Sequence, residues 1–191
     1  MTDFLTIDTE TGGFYPAKHA LLSIGACCSW SDATFEIYIT LESQPGKIVD
    51  AEAAEVNGYS KEAWALLGAV PMAHAYAALL AWIEERKQER PFAVLVCHHL
   101  AFEKSFLGEC ERLTMMQLPH RNDWRCSQVL LGLAMDLGHV ERGSSSLNNL
   151  RALSGWTAER KETHNALQDA VITRHGYRWL LDRLAKPQID A

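Results

Sequence analysis

The sequence predicts a single α/β domain built on a mixed sheet with helices on its flanks. Two observations carry this. Three apolar runs with strand periodicity come first, close together, between Asp3 and Leu41. Beyond them, short apolar runs alternate with longer stretches of helical period, the pattern of parallel strands joined by helices. At 191 residues the chain is long enough for one well-packed core and short for two. It shows no repeat, low-complexity tract or linker, so residues 1–191 read as one domain.

Asp3-Phe4-Leu5-Thr6-Ile7 is brief, apolar and stopped by the Gly12-Gly13 pair, so residues 3–7 read as a buried strand. Residues 20–28 are apolar, with Leu22, Ile24, Ala26 and Cys28 on one face. Residues 34–41 alternate: Phe35, Ile37, Ile39 and Leu41 inward, Thr34, Glu36, Tyr38 and Thr40 outward, as in a strand with one wet face. The link Ser31-Asp32-Ala33 is short enough for an antiparallel hairpin, so the three strands form a meander. Residues 43–47 are a loop, and a short helix over 51–57 closes on Gly58 as its C-cap. From Pro71 a longer helix carries the stripe Met72, Tyr76, Leu79, Leu80 and Ile83, with 84–87 as its solvated end. Residues 92–96 are short and wholly apolar, as in a strand covered on both faces. The next helix turns Phe102, Phe106, Cys110 and Leu113 inward. Residues 124–126 are a further strand, leading into a helix that runs to Gly138. Serines around Ser146 offer an N-cap for a helix over 147–154, and the last helix spans 166–184, with Pro187 beyond it.

Bulk properties narrow the function classes. Net charge is -6, so no global basic field draws in nucleic acid, and such a partner must be gripped locally or through metal ions. Five cysteines without a CxxC pair suggest reduced thiols and a cytoplasmic setting. No basic-then-apolar leader and no apolar stretch of membrane-spanning length occurs, so no membrane partner is expected.

Four acidic residues and one histidine stand out. Asp8 and Glu10 are two apart at the end of the first strand and project on the same side, where they repel each other. A divalent cation with hard oxygen ligands relieves that repulsion. Gly12 and Gly13 carry no β-carbons, so a phosphate can approach the backbone there. Glu103 lies one turn into the helix after the central strand, beside Phe102 and Phe106, where an unpaired charge is expensive. His164 and Asp169 converge only if His164 precedes the last helix and Asp169 lies inside it. Each segment alone has a plainer reading: a polar turn, a first-turn surface Glu, a capping His beside a solvated Asp. Cys97-His98-His99 lacks partners at zinc-finger spacing and is set aside as a metal site. Of the six tryptophans, only Trp124 is placed where a nucleotide groove runs.

In order, Asp8-x-Glu10 at a strand end, His98-x-x-x-Phe102-Glu103 after a second strand, and His164-x-Ala166-x-x-Asp169 opening the final helix resemble the DEDDh 3′→5′ exonucleases. That group includes the proofreading epsilon subunit of bacterial polymerase and ribonuclease T. The resemblance covers residues 4 to about 181 and is strongest to ribonuclease T around Glu10-Thr11-Gly12-Gly13-Phe14. It implies a ribonuclease H-like fold: an antiparallel three-strand meander plus parallel strands, flanked by helices. It implies two divalent cations, Mg²⁺ or Mn²⁺, on Asp8, Glu10, Glu103 and Asp169, with His164 as general base. Thr11, Gly12, Gly13, Phe14, Glu52 and Phe102 fall at substrate-contact positions, and Phe14 and Phe102 match aromatics that stack on bases. The implied reaction is hydrolysis of the terminal phosphodiester of single-stranded or frayed DNA, with RNA as the other candidate, to nucleoside 5′-monophosphates. A role in DNA repair and association as a homodimer or with a polymerase are further expectations.

Three departures mark this chain. Glu103 stands where the family has Asp, His99 where it has Asn, and Val56 where ribonuclease T has a stacking Phe. The first two motivate a competing expectation, a catalytically weakened nucleic-acid- or partner-binding module on the same fold. Against it, none of the four acids nor His164 is missing. Arg160 and Lys161 are the expected local phosphate contacts.

Overall fold

The first strand, β1 (Phe4–Thr11), has a different partner on each side. It pairs antiparallel with β2 (Leu21–Cys28) and parallel with β4 (Val94–Cys97). β3 (Thr34–Tyr38) extends the antiparallel side and β5 (Trp124–Cys126) the parallel side, giving the order β3-β2-β1-β4-β5. The computed structural model describes residues 2–119, 123–157 and 164–185. Its helices are α1 (Ala51–Asn57), α2 (Lys61–Leu66), α3 (Met72–Glu89), α4 (Leu100–Thr114), α5 (Ser127–Asp136), α6 (Leu147–Leu153) and α7 (Ala166–Leu184).

Strand alternation sorts β1 between two helical layers. Leu5 and Ile7 join Ile24, Ala26 and Leu95 in a core closed by Tyr76, Leu79 and Ile83 of α3 and Phe106 and Cys110 of α4. Phe4, on the other face with Val96, meets Tyr177 of α7 edge-on at 4.9 Å. Asp8 and Glu10 share the parity of Phe4 and therefore the α7 side. Behind α7, its Leu180 packs with Leu131, Ala134 and Leu150 of α5 and α6.

The structure departs from the sequence-based expectations at several places. β1 does not stop at Ile7: Asp8, Glu10 and Thr11 are strand residues, because β2 continues to pair with them. The register shifts between Glu10 and Thr11, and this bulge steps the alternation of β2. Hence Leu21, not Leu22, joins the α3–α4 core, while Leu22 packs with Ala20 and Trp64. Phe92 is not in a covered strand. It is 93 % exposed ahead of β4. Lys87 is buried rather than solvated, and its Nζ donates to the Ala93 carbonyl at 2.5 Å, tying the end of α3 to the start of β4. Trp124 is buried in the α3–α4 core and faces no groove. No helix among the described residues is long and apolar enough to cross a membrane.

Candidate active site

Three separate segments deliver carboxylates to one place. β1 brings Asp8 and Glu10 on its α7 face. Because β4 is the parallel neighbour of β1, the helix that follows it, α4, begins beside the carboxyl end of β1. Glu103 sits in the first turn of α4, which His99 caps by accepting the Phe102 N–H on Nδ1 at 3.2 Å. The departure from Asn to His thus keeps an N-cap acceptor. α7 is capped by Asn165, whose Oδ1 accepts the Gln168 N–H at 2.9 Å, and it places Asp169 in its first turn.

Sequence reasoning missed the residue that lets α7 come so close. Gly25 pairs with Asp8 across the ladder, and a Cβ there would lie 2.1 Å from the Leu167 nitrogen and 2.2 Å from the Ala166 carbonyl carbon. Only glycine lets the first turn of α7 rest on the sheet next to Asp8. A lone Gly inside a fully buried strand was the available signal.

Glu10, Glu103 and Asp169 are each more than nine-tenths buried. The Glu103 carboxyl is pushed up to about 8, chiefly by burial, with the charges of Glu10 and Asp169 adding. Among the described residues its buried Oε2 finds no hydrogen-bond partner, and neither does Thr9 Oγ1. His164 is more open; its backbone N–H donates to the Val56 carbonyl of α1 at 3.0 Å, and its Nδ1 lies 3.6 Å from Asp169 Oδ2. Donor atoms of Glu10, His164 and Asp169 all fall within 4.8 Å of one another. This compact trio includes His164, which the motif reading cast as base rather than ligand, while Asp8 and Glu103 border the same space. An orphaned buried carboxylate oxygen among like charges, in a set of hard oxygen donors, fits a divalent cation.

Asp8, Glu10, Glu103, His164 and Asp169 all line one cleft of about 320 Å³, together with Thr11, Gly13, Phe14, Glu52 and Phe102. Gly12 does not line it. A Cβ on Gly12 would meet the Ile48 carbonyl at 2.6 Å, and one on Gly13 would meet the His19 ring at 2.7 Å, so both glycines serve internal packing. The Thr11 hydroxyl donates to the Gly13 carbonyl at 2.7 Å and closes the turn. Phe14 is 77 % exposed at the mouth, and Phe102 leans on Phe106 at 5.0 Å. Asp50 and Asn57 also line the cleft and were not anticipated. Asn57 is buried, and its Nδ2 donates to the Thr11 carbonyl at 3.0 Å, fixing α1 to the end of β1. Arg160 and Lys161 lie outside the described residues.

No protein-family model matches the chain. Among curated proteins, the 3′-5′ DNA exonuclease Cap18 of Escherichia coli is 32% identical over 106 residues, 55% of this chain and 54% of its own. That match therefore spans about half the length of the relative. Ribonuclease T of Baumannia cicadellinicola subsp. Homalodisca coagulata is 26% identical over 189 residues, 94% of this chain and 83% of its own. The nuclease domain of 3′hExo, a DEDDh family member solved with rAMP, superposes with a TM-score of 0.71 at 15% identity, covering 94% of this chain and 92% of that one. E. coli exonuclease I in complex with a dT13 oligonucleotide gives 0.75 at 15% identity, covering 98% and 42%. The mixed sheet is the ribonuclease H-like arrangement of these structures, and the relatives found by sequence and by fold are the 3′→5′ exonucleases that the three motifs resemble.

Proposed function

We propose that this chain is a divalent-metal-dependent 3′→5′ exonuclease that removes nucleoside 5′-monophosphates from single-stranded 3′ ends, with DNA as the primary substrate. The observation that carries this is the convergence of Asp8, Glu10, Glu103 and Asp169 with His164 in one cleft, with a buried, orphaned Glu103 oxygen among them. Asp8, Glu10, Glu103 and Asp169 would hold the cations. When bound, two divalent cations polarise the phosphoryl oxygens and lower the pKa of an attacking water. His164 stands on the open side of the cluster, where its imidazole can take the proton of that water near neutral pH. Phe102, beside the acids, offers a face to the terminal base, and Phe14, exposed at the mouth, offers one to the base before it. Cations held by the carboxylates of the cleft would meet the phosphate there. The preference for DNA draws on the 32% identical relative, which is named a DNA exonuclease.

The test is incubation of the purified chain with 5′-labelled single-stranded DNA, duplex DNA and RNA in Mg²⁺, Mn²⁺ or EDTA. A ladder shortening from the 3′ end of single-stranded DNA, in either metal and not in EDTA, is the expected result. Cleavage confined to RNA would overturn the substrate assignment, and equal activity in EDTA would overturn the metal assignment.

A further inference from the structure

The turn over residues 12–19, between β1 and β2, carries Phe14 into the cleft. Its base is fixed by backbone: the Gly12 N–H donates to the Ala20 carbonyl at 2.8 Å, and the Asp50 N–H donates to the Gly12 carbonyl at 2.8 Å. Its tip is fixed by a side chain. Lys47 Nζ donates to the Pro16 carbonyl at 2.5 Å and also lies 2.5 Å from Glu109 Oε1 on α4. The Lys47 side chain is 5% exposed and that of Glu109 14%, so this bridge is largely shielded from solvent. Glu109 is less than two turns beyond Phe102 and Glu103 on the same helix. One ammonium therefore joins the turn that bears one aromatic face to the helix that bears the other. Lys47 itself does not line the cleft.

We propose that Lys47 is a positioning residue that holds the Phe14 turn against α4 and so sets how tightly the cleft grips a single-stranded 3′ end. The assignment rests on the exonuclease reading above. A buried ammonium keeps one orientation because both acceptors meet it, and it transmits that orientation to the Pro16 carbonyl, two residues after Phe14. Removing Lys47 does not strand a buried charge, because Arg112 holds both Glu109 oxygens at 2.8 Å. The turn would then lose its tie to α4 while the acids and His164, carried by β1, α4 and the start of α7, keep theirs.

The experiment compares steady-state cleavage of a single-stranded oligonucleotide with that of the p-nitrophenyl ester of thymidine 5′-phosphate, which has no second base to stack. Melting curves confirm that each variant is folded. For Lys47→Met, KM for the oligonucleotide rises about tenfold, within the worth of one base stack, while kcat and ester hydrolysis stay within about twofold. Lys47→Arg, which can still donate to both acceptors, recovers most of the KM. In a Phe14→Ala background, Lys47→Met raises KM no further, because the ring it positions is gone. Should Lys47→Met fail to fold, Glu109→Gln, which weakens the hold on Lys47, shows the same split at about threefold. A parallel loss of kcat and ester hydrolysis, or an undiminished KM effect without Phe14, overturns the proposal. A wild type that cleaves neither substrate in Mg²⁺ or Mn²⁺ overturns the exonuclease reading instead.

Discussion

Glu103 has lost its water, faces Glu10 and Asp169, and leaves Oε2 without a partner among the described residues. An ordinary glutamate loses its proton near pH 4.3, whereas in the fold this one holds it to about 8. Between those values the native state binds a proton that the unfolded chain has released. Stability without metal therefore falls as pH rises through that window. In EDTA, the melting temperature of the wild type should decline from about pH 5 to 8, and that of Glu103→Gln should be flatter across the same range. An equal decline in the variant would assign the slope to another group. With metal present, Glu103→Gln should be nearly inactive because it keeps the size and removes the charge. Glu103→Asp should keep activity, and it should narrow a preference of the wild type for Mn²⁺, because Mg²⁺ demands a near-ideal octahedron that the longer arm meets poorly. Initial rates in each metal decide this. His164→Ala should lower the rate by roughly a hundredfold, the usual worth of a positioned base, with metal affinity kept. Calorimetry showing that affinity collapse would make His164 a ligand, which its place within 4.8 Å of Glu10 and Asp169 donors allows.

At the scale of elements, the site depends on how closely α7 lies on β2. Gly25→Ala places a methyl about where the backbone of Ala166 and Leu167 runs, so the helix must lift. Overpacking of this kind costs about 1–3 kcal/mol. The larger effect should be on chemistry, because Asp169 and His164 move together: kcat should fall at least about tenfold, consistent with the sensitivity of positioned groups to small displacements. A variant with normal kcat would show that α7 can relax without carrying the site away. Sequence made some elements plain. α1, β5 and α7 match their expected bounds; Gly58, in the left-handed region at the end of α1, is a local signal, and Asn165 caps the start of α7. The acids and His164 were legible because their spacing is tied to strand ends and helix starts. What failed was what long-range pairing decides. The bulge that moves Leu22 out of the α3–α4 core is set by the partner strand, not by Leu22. α2 was missed because its six residues carry too little period to see, although Ser60 caps it by accepting the Ala63 N–H at 3.0 Å. Lys87 read as solvated because charge predicts exposure, and Lys47 lay in a segment read only as a loop; the burial of both side chains follows from carbonyls brought in from elsewhere.

For the whole molecule, the four acids to which we assign the chemistry would be a liability to the fold without a cation. The chain already carries a net charge of -6, and three of those carboxyl groups are more than nine-tenths buried close together. Cations that bind the native cleft and not the unfolded chain pull the folding equilibrium toward the native state. At metal a hundred times above its Kd the gain is about 2.7 kcal/mol, or roughly 5–10 °C in melting temperature for a domain of this size. Asp169→Ala separates the two roles. Without metal it should melt at or above the wild-type temperature, because one of the crowded negative charges is gone. With Mn²⁺ or Mg²⁺ it should lose most of the upward shift and all nuclease activity. Thermal melts of both proteins in EDTA and across a metal titration make the comparison. A full metal shift in Asp169→Ala would place the cations elsewhere, and a large fall in its metal-free melting temperature would make Asp169 a structural residue of α7 rather than a ligand.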